Sequence, residues 1–542
     1  MKLPRLTLPG RLLPFLLALL PAATVIKAET VVESGNRTQT LHMGNLTEPT
    51  DLDPQIVTSA QDFNIVLALM EGLTQYDPKD LHPVPGVAER WESSADALTW
   101  TFHLRSNARW SNGDPVTARD FAYAYQRMLS PGLGSEYAYM LYSLKNGEAY
   151  NAGTLTDFSA VGVKAVDDRT LALTLAHPVP YLPLFVSHQS WYPVHKATIE
   201  KFGRMDQRGT LWTRPGNYVG NGPFVLAEWK PNQVIRVTKS PSYWDRDKIR
   251  LNEVDFYPIE NEATEEAAFR SGQLHLTATI PIDKIAVYKA RNPELLHQET
   301  TLATYFYRFN VTKPPLNDVR VRRALAMTIN RRQIVERVSK GGQDPAFNLS
   351  PPNIAGYTAR ARLKEDIPEA RRLLAEAGYP GGRGFPRLEL LFNTNAGHRA
   401  IAEAIQQMWK ANLGIDVTLV NQEAKVQSDT MREMNYQIGR YAWSGDYLDP
   451  STFLELLTST SGNNQTGWKN AEYDRLVAEA ARTADNAKRY ELFQQAEQIL
   501  VDEAPIAPIY FYKRDNLQLP VVKGWYGNLL DLHPFKGVYL EP

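Results

Sequence analysis

In LTWTFHLRSN, Trp100, Phe102 and Leu104 alternate with polar neighbours, the two-residue period of a half-buried strand. VGVKAVDDRTLALTLA carries the same alternation on both sides of Asp167 and Asp168, which predicts a hairpin turning there. The period then lengthens. In DPVTARDFAYAYQRML, Phe121, Tyr125, Met128 and Leu129 recur at helical spacing behind Thr117, whose hydroxyl suits the start of a helix. These aromatics read as core-facing rather than ligand-facing.

The second half repeats a helix-then-strand rhythm. AGHRAIAEAIQQMWKANLGIDVTLV predicts a helix ending near Leu413, Gly414 as the residue that stops it, and a strand over 415–420. PEARRLLAEAGYPGG ends in the same manner at Gly378. Two further helices in AEYDRLVAEAARTADNAKRYELFQQAEQILVDEA lead into the apolar strand IAPIYFY. Such alternation implies α/β domains with helix-covered sheets, and a chain of 542 residues is long enough for two to four of them.

The start changes the picture of where the protein works. MKLPRLTLPGRLLPFLLALLPAATVIKAET runs from basic residues through an apolar stretch broken by Pro14 and Pro21 to small residues, the order of a secretory signal peptide. Cleavage is expected after Ala28, with Ala23 as the second choice. Removing residues 1–28 takes four bases and no acids, leaving 55 basic against 60 acidic residues, a balance of −5. No strong basic excess points to nucleic acid, and no other segment has the roughly 20 apolar residues that cross a bilayer. The chain has no cysteine, which excludes disulfides, thiolate metal sites, a cysteine nucleophile and a lipid-modified cysteine. A free periplasmic protein without lipid anchor or stable membrane insertion is expected.

A search for reaction chemistry is largely negative. There is no GxSxG elbow, HExxH pair, P-loop or GxGxxG fingerprint, and the ten histidines are scattered singly. DLDP at Asp51–Pro54 has the acids of a calcium loop, but acids before a proline also make an ordinary turn. Carboxylate pairs for glycoside hydrolysis can lie far apart in sequence, so a hydrolase stays open. In YAWSGDYLDPSTFL, Asp446 sits between Trp443 and Tyr447 and has two readings. It either opens a solvated turn or, shielded by aromatics, waits for a cation from outside the chain.

GVAERWESSADALTWTFHLRSNARWSNGDPVTARDFAYAYQRML resembles the signature region of the family 5 extracellular solute-binding proteins, which deliver peptides to ABC importers. GNYVGNGPFVLAEW, SPSYWD, PPLNDVRVRRALAMTINRRQIV and AWSGDYLDPSTFL resemble the same family in the same order, most closely its oligopeptide- and murein-peptide-binding branches. The resemblance implies two hinged α/β lobes, one enlarged by an extra domain, enclosing ligand between them. Carried over, domain I comprises 29–60, 191–302 and 513–542; domain II comprises 61–190; domain III comprises 303–512, with the hinge near 302 and 512. It also implies a monomer that binds an extended peptide, needs no cofactor or metal, performs no catalysis and hands its ligand to transmembrane permease subunits.

Residue by residue, the resemblance makes Asp446 the acceptor of the peptide α-ammonium, with Trp443 and Tyr447 as walls. Arg440 and His398 match positions that meet the peptide carboxylate, and Tyr137 matches a site tyrosine. Several positions depart from the oligopeptide binders. Met431 replaces a second arginine with Arg432 displaced by one, Thr58 replaces a cleft acid, and Ala424 replaces a pocket tryptophan. Ala303 and Ser444 occupy the positions of a disulfide found in some members. The amino-end anchor is kept and the carboxylate end is altered, which leaves murein tripeptide, dipeptide and opine-like solutes open as alternatives.

Overall fold

The computed structural model describes residues 1, 29–422, 424–483 and 485–541, without the side chains of 424 and 425. Apart from Met1, the expected signal segment therefore lies outside the described residues, and so does the side chain of Ala424.

The sheets follow the two rhythms of the sequence. Thr99–Leu104 is a strand whose Trp100, Phe102 and Leu104 point inward. It pairs with Ala88–Ser93 on one side and Thr170–Thr174 on the other. Val163–Asp167 closes the predicted hairpin, completing a four-stranded antiparallel sheet. The helix Ala118–Met128 begins at a capping box in which Thr117 and Asp120 satisfy each other's backbone N–H groups. Its Phe121, Tyr125 and Met128 are fully buried, as is Leu129 just beyond.

A second sheet orders Thr40–Gly44, Glu253–Tyr257, Val234–Lys239 and Phe224–Lys230, its first pair parallel and the others antiparallel. The third has six strands: Asp344–Pro345, Ile506–Leu517, Leu296–Phe309, Ile438–Ser444, Leu388–Asn393 and Val417–Gln422. Helix Ala396–Leu413 covers part of it and ends at Gly414 with φ 71°. The following strand starts at Val417, two residues later than expected, because the Ile415 N–H closes the helix end onto the Trp409 carbonyl.

Leu296–Phe309 and Ile506–Leu517 are the long strands of the molecule, antiparallel from Leu296 opposite Leu517 to Arg308 opposite Ile506. At one end Leu517 packs among Phe269, Leu274 and Ile280. At the other, Tyr305, Tyr307 and Ile509 enter the core of the six-stranded sheet. One antiparallel pair thus crosses between two lobes, and its ladder loses register between Thr300 and Thr304.

DLDP is a turn. The Asp51 carboxylate accepts the Leu52 and Asp53 N–H groups at 2.7 and 3.1 Å, and buried Asp53 pairs with Arg127 at 2.6 Å.

Candidate functional site

Strand Ile438–Ser444 lies between Leu296–Phe309, antiparallel to it, and Leu388–Asn393, parallel to it. It stops at Gly445, whose N–H donates to the Leu302 carbonyl at 2.7 Å. A side chain at Gly445 would bring its Cβ within 2.6 Å of Leu302 Cδ2 and 2.9 Å of Thr452 Cγ2. Glycine therefore lets the chain turn tightly here, and the next residue is Asp446.

Thr452 holds this turn from two sides. Its hydroxyl accepts the Asp446 N–H at 3.0 Å, and its carbonyl accepts the Trp443 indole N–H at 2.7 Å. The Asp446 carboxylate is turned away from the backbone, and among the described residues no N–H donates to it and no base pairs with it. Its hydrogen-bonding partner is the Tyr139 hydroxyl, and burial outweighs this contact and raises the carboxyl's pKa. An aspartate that closes a turn through its side chain accepts backbone N–H groups, and among the described residues Asp446 accepts none.

Asp446 opens onto a cleft of about 740 Å³. Thr58, Phe63 and Tyr137 stand on one side of it, Ala442, Ser444 and Tyr512 on the other. Tyr137 is half-buried, its ring edge-on to His188 at 5.2 Å and tilted to Phe63 at 6.3 Å. A side pocket of about 400 Å³ shares Thr58, Tyr137 and Asp446 with the cleft and continues past Trp443 to Glu455. Tyr447 is a buried wall of this pocket, packed edge-on against Phe185 at 4.5 Å and stacked on Tyr181 at 6.1 Å.

Arg440 is carried on the same strand as Trp443. Its guanidinium lies 4.6 Å over the Tyr305 ring, donates to the Tyr512 hydroxyl at 2.6 Å and to Asn393 Oδ1 at 3.2 Å. Its buried Nε has no hydrogen-bond partner, and no acid among the described residues pairs with it. His398, in the first turn of Ala396–Leu413, lies beside the same Tyr305, ring to ring at 5.5 Å. Burial, and then the Arg440 charge, push the imidazole down to about 4, so it is neutral near pH 7. Folding has thus gathered Arg440 and His398 around one tyrosine, while Asp446 stands beyond the end of the strand.

Residues 82–465 match the bacterial extracellular solute-binding proteins, family 5, middle region. The chain belongs to this family. It is 39% identical to the periplasmic oligopeptide-binding protein OppA of Escherichia coli, over 96% of this chain and 94% of that one. The unliganded open form of the periplasmic murein-tripeptide-binding protein MppA superposes with a TM-score of 0.81 at 36% identity, covering 95% of this chain and 99% of that one. OppA of Haemophilus influenzae in complex with the peptide RPPGFSPFR gives 0.75 at 35% identity, covering 93% and 99%. The fold is the two-lobed α/β fold of the family, and these relatives are binding proteins.

Against that family background the departures acquire positions. Met431 is fully buried beside Leu391 and Tyr436, and Arg432 is exposed and paired with Asp429 at 2.9 Å, so neither faces the cleft. Ala303 and Ser444 stand directly opposite one another on adjacent antiparallel strands, both at the cleft.

Histidines do not gather into a metal centre among the described residues. His42 and His275 stack at 5.6 Å, but the first has Tyr257 beside its Nδ1 and the second accepts the His42 N–H on its Nδ1. Asp77, Asp80 and His82 converge at the surface, where the two carboxylates accept the N–H groups of Lys79 and His82 in a turn.

Two acids of the side pocket, Glu136 and Glu455, escaped the sequence reading. The available signal for Glu455 was an acid interrupting the apolar run TFLELL. Its side chain is exposed to the pocket, and the protein packed around it, then the Asp449 charge, push its carboxyl up to about 7.

Proposed function

We propose that the protein is the substrate-binding component of an ABC peptide importer. It encloses an extended oligopeptide between its lobes in the periplasm and delivers it unchanged to the transmembrane permease subunits. The observation that carries this reading is a separated pair of opposite charges: Asp446 lines the cleft and Arg440 lies earlier on the strand that leads to it, each without an ion-pair partner among the described residues. The strand is extended from Arg440 to Ser444, about 13 Å, before it turns at Gly445, the scale of a peptide a few residues long with a free ammonium and a free carboxylate. Main-chain pairing between the two ends would be the same for every sequence, so it supplies affinity without selecting side chains.

In this reading Asp446 receives the ammonium, Arg440 and His398 serve the carboxylate, and Trp443, Tyr447 and Tyr137 shape the walls. Domain I is 29–60, 191–302 and 513–542, domain II is 61–190, and domain III is 303–512. The ladder irregularity between Thr300 and Thr304 supports a hinge near 302, because a break in register is where a paired strand bends most easily. The protein acts as a monomer, is exported by the segment 1–28, and closes as a two-state motion biased by contacts with both lobes.

Two carboxyls with raised pKa in one pocket, Asp446 and Glu455, are also what a secreted hydrolase would use. Incubation with peptides decides between the two. Calorimetry should show stoichiometric binding, and mass spectrometry should recover the peptides intact. Cleavage that disappears on mutating either acid would establish the hydrolase, and absence of binding by any free peptide would overturn the importer reading. Because Met431 and Arg432 both leave the carboxylate end, murein tripeptide belongs in the same panel.

A further inference from the structure

Three carboxylates, Glu136, Asp446 and Glu455, line the side pocket, and its walls include no lysine, arginine or histidine. None of the three has an ion-pair partner among the described residues. Arg489 is the base whose charge Glu455 feels, but it is committed to Asp449, donating from Nη1 to Oδ2 at 2.6 Å. Four aromatic rings, of Tyr137, Tyr139, Trp443 and Tyr447, line the pocket beside neutral polar residues and Leu456. Acids among aromatic rings attract a cation twice over, by charge and by the rings' negative faces. An anionic side chain meets only repulsion there.

We propose that this pocket selects a cationic side chain, so that the protein prefers peptides whose first residue is lysine, arginine or another basic amino acid. Glu455 and Glu136 are the residues that set this preference. The inference rests on the reading of Asp446 as the ammonium site, and that reading also fixes which side chain enters. The α-ammonium and the first side chain leave the same Cα. A peptide anchored at Asp446 therefore has its first side chain at the mouth of the pocket that Asp446 shares. About 400 Å³ is ample for a lysine or arginine stem with accompanying water. Tyr447 Oη, 3.4 Å from Glu455 Oε2, helps hold the acid in place. The raised Glu455 carboxyl fits an acid that lacks its cation.

The test uses Lys-Ala-Ala, norleucine-Ala-Ala and Glu-Ala-Ala, together with the same three lengthened by one alanine, titrated by calorimetry at pH 8. Norleucine keeps most of the lysine stem and removes its charge. The wild type should bind the lysine peptides at least tenfold more tightly than the norleucine peptides, and the glutamate peptides most weakly. Glu455→Gln should abolish most of the lysine advantage, read as the ratio of lysine to norleucine affinity within the variant, and Glu136→Gln should remove a smaller part. Equal affinity for lysine and norleucine peptides in the wild type would overturn the preference and leave the peptide reading standing. No binding by any of the six would overturn both. Circular dichroism checks that the variants fold, and the wild-type series decides the preference if Glu455→Gln does not.

Discussion

The Thr452 hydroxyl accepts the Asp446 amide proton at 3.0 Å, fixing the backbone of a residue whose carboxylate is left to the cleft. Held backbone and unpaired charge together are what the proposed ammonium site at Asp446 requires. Asp446→Asn keeps the shape and removes the charge. For peptides with a free amino terminus we expect a loss on the order of 3–5 kcal/mol, roughly two to four decades, if the pair closes fully from water. Acetylated peptides should bind the wild type weakly and the mutant no worse, because both changes delete one shared interaction. Four calorimetric affinities test this; a mutant that still prefers the free amine by the wild-type ratio would remove Asp446 from the site.

At the other end of the strand, Arg440→Gln should weaken peptides with a free carboxylate by about 1.5–3 kcal/mol, the range for a hydrogen bond to a charged group. Amidated peptides should hardly notice the change. Arg440→Lys should restore only part of the loss, since the ammonium cannot reproduce the planar contacts with Tyr305 and Tyr512. The comparison of free and amidated peptides of three lengths also shows where His398 takes over.

The pH dependence of lysine-first peptides follows from Glu455. Its carboxyl stands at about 7, and a cation binds the ionised form, so below that pH a proton must be displaced first. Affinity should rise from pH 6 to pH 8 for Lys-Ala-Ala more steeply than for norleucine-Ala-Ala. The lysine ammonium, with a pKa of about 10.4, stays charged throughout. Tyr447, Asp449 and Arg489 surround Glu455 and Glu136 shares its pocket; all are present in both titrations, and repeating the pair on Glu455→Gln isolates the acid.

The same shift has a consequence for the ligand-free protein. A carboxyl raised on folding destabilises the folded state progressively as pH climbs from its unfolded value near 4.5 through about 7. Glu455→Gln should therefore raise the melting temperature at pH 8 and leave it nearly unchanged at pH 4. Differential scanning calorimetry at the two values checks the sign.

Gly445→Ala would force a methyl group against Leu302 and Thr452 in a packed turn. Destabilisation of about 1–3 kcal/mol is expected from urea unfolding, the range for overpacking. Peptide affinity should fall as well, because relief of the clash moves Asp446.

Much of this molecule was legible along the chain because its elements are short-range facts. Trp100, Phe102 and Leu104 needed only the strand period to be placed, and Thr117 and Gly414 marked their helix ends by local backbone chemistry. The family resemblance of the segments around them is what proposes roles for Asp446, Arg440 and His398. The sequence could not choose between a turn and a receptor for Asp446, since both need the same residues. Which backbone N–H groups reach a carboxylate is decided by how Gly445 and Thr452 fold around it.

Nor did it reveal Glu455, far from any motif and separated from Glu136 by most of two domains. Their pocket exists only where strand Ile438–Ser444 meets the first lobe. The charge balance of −5 for the chain without residues 1–28 says nothing of it, because a whole-chain sum does not report which acids share one pocket. Short-range patterns determine elements; the proximity of distant charges, and the removal of water from around them, belong to the tertiary structure.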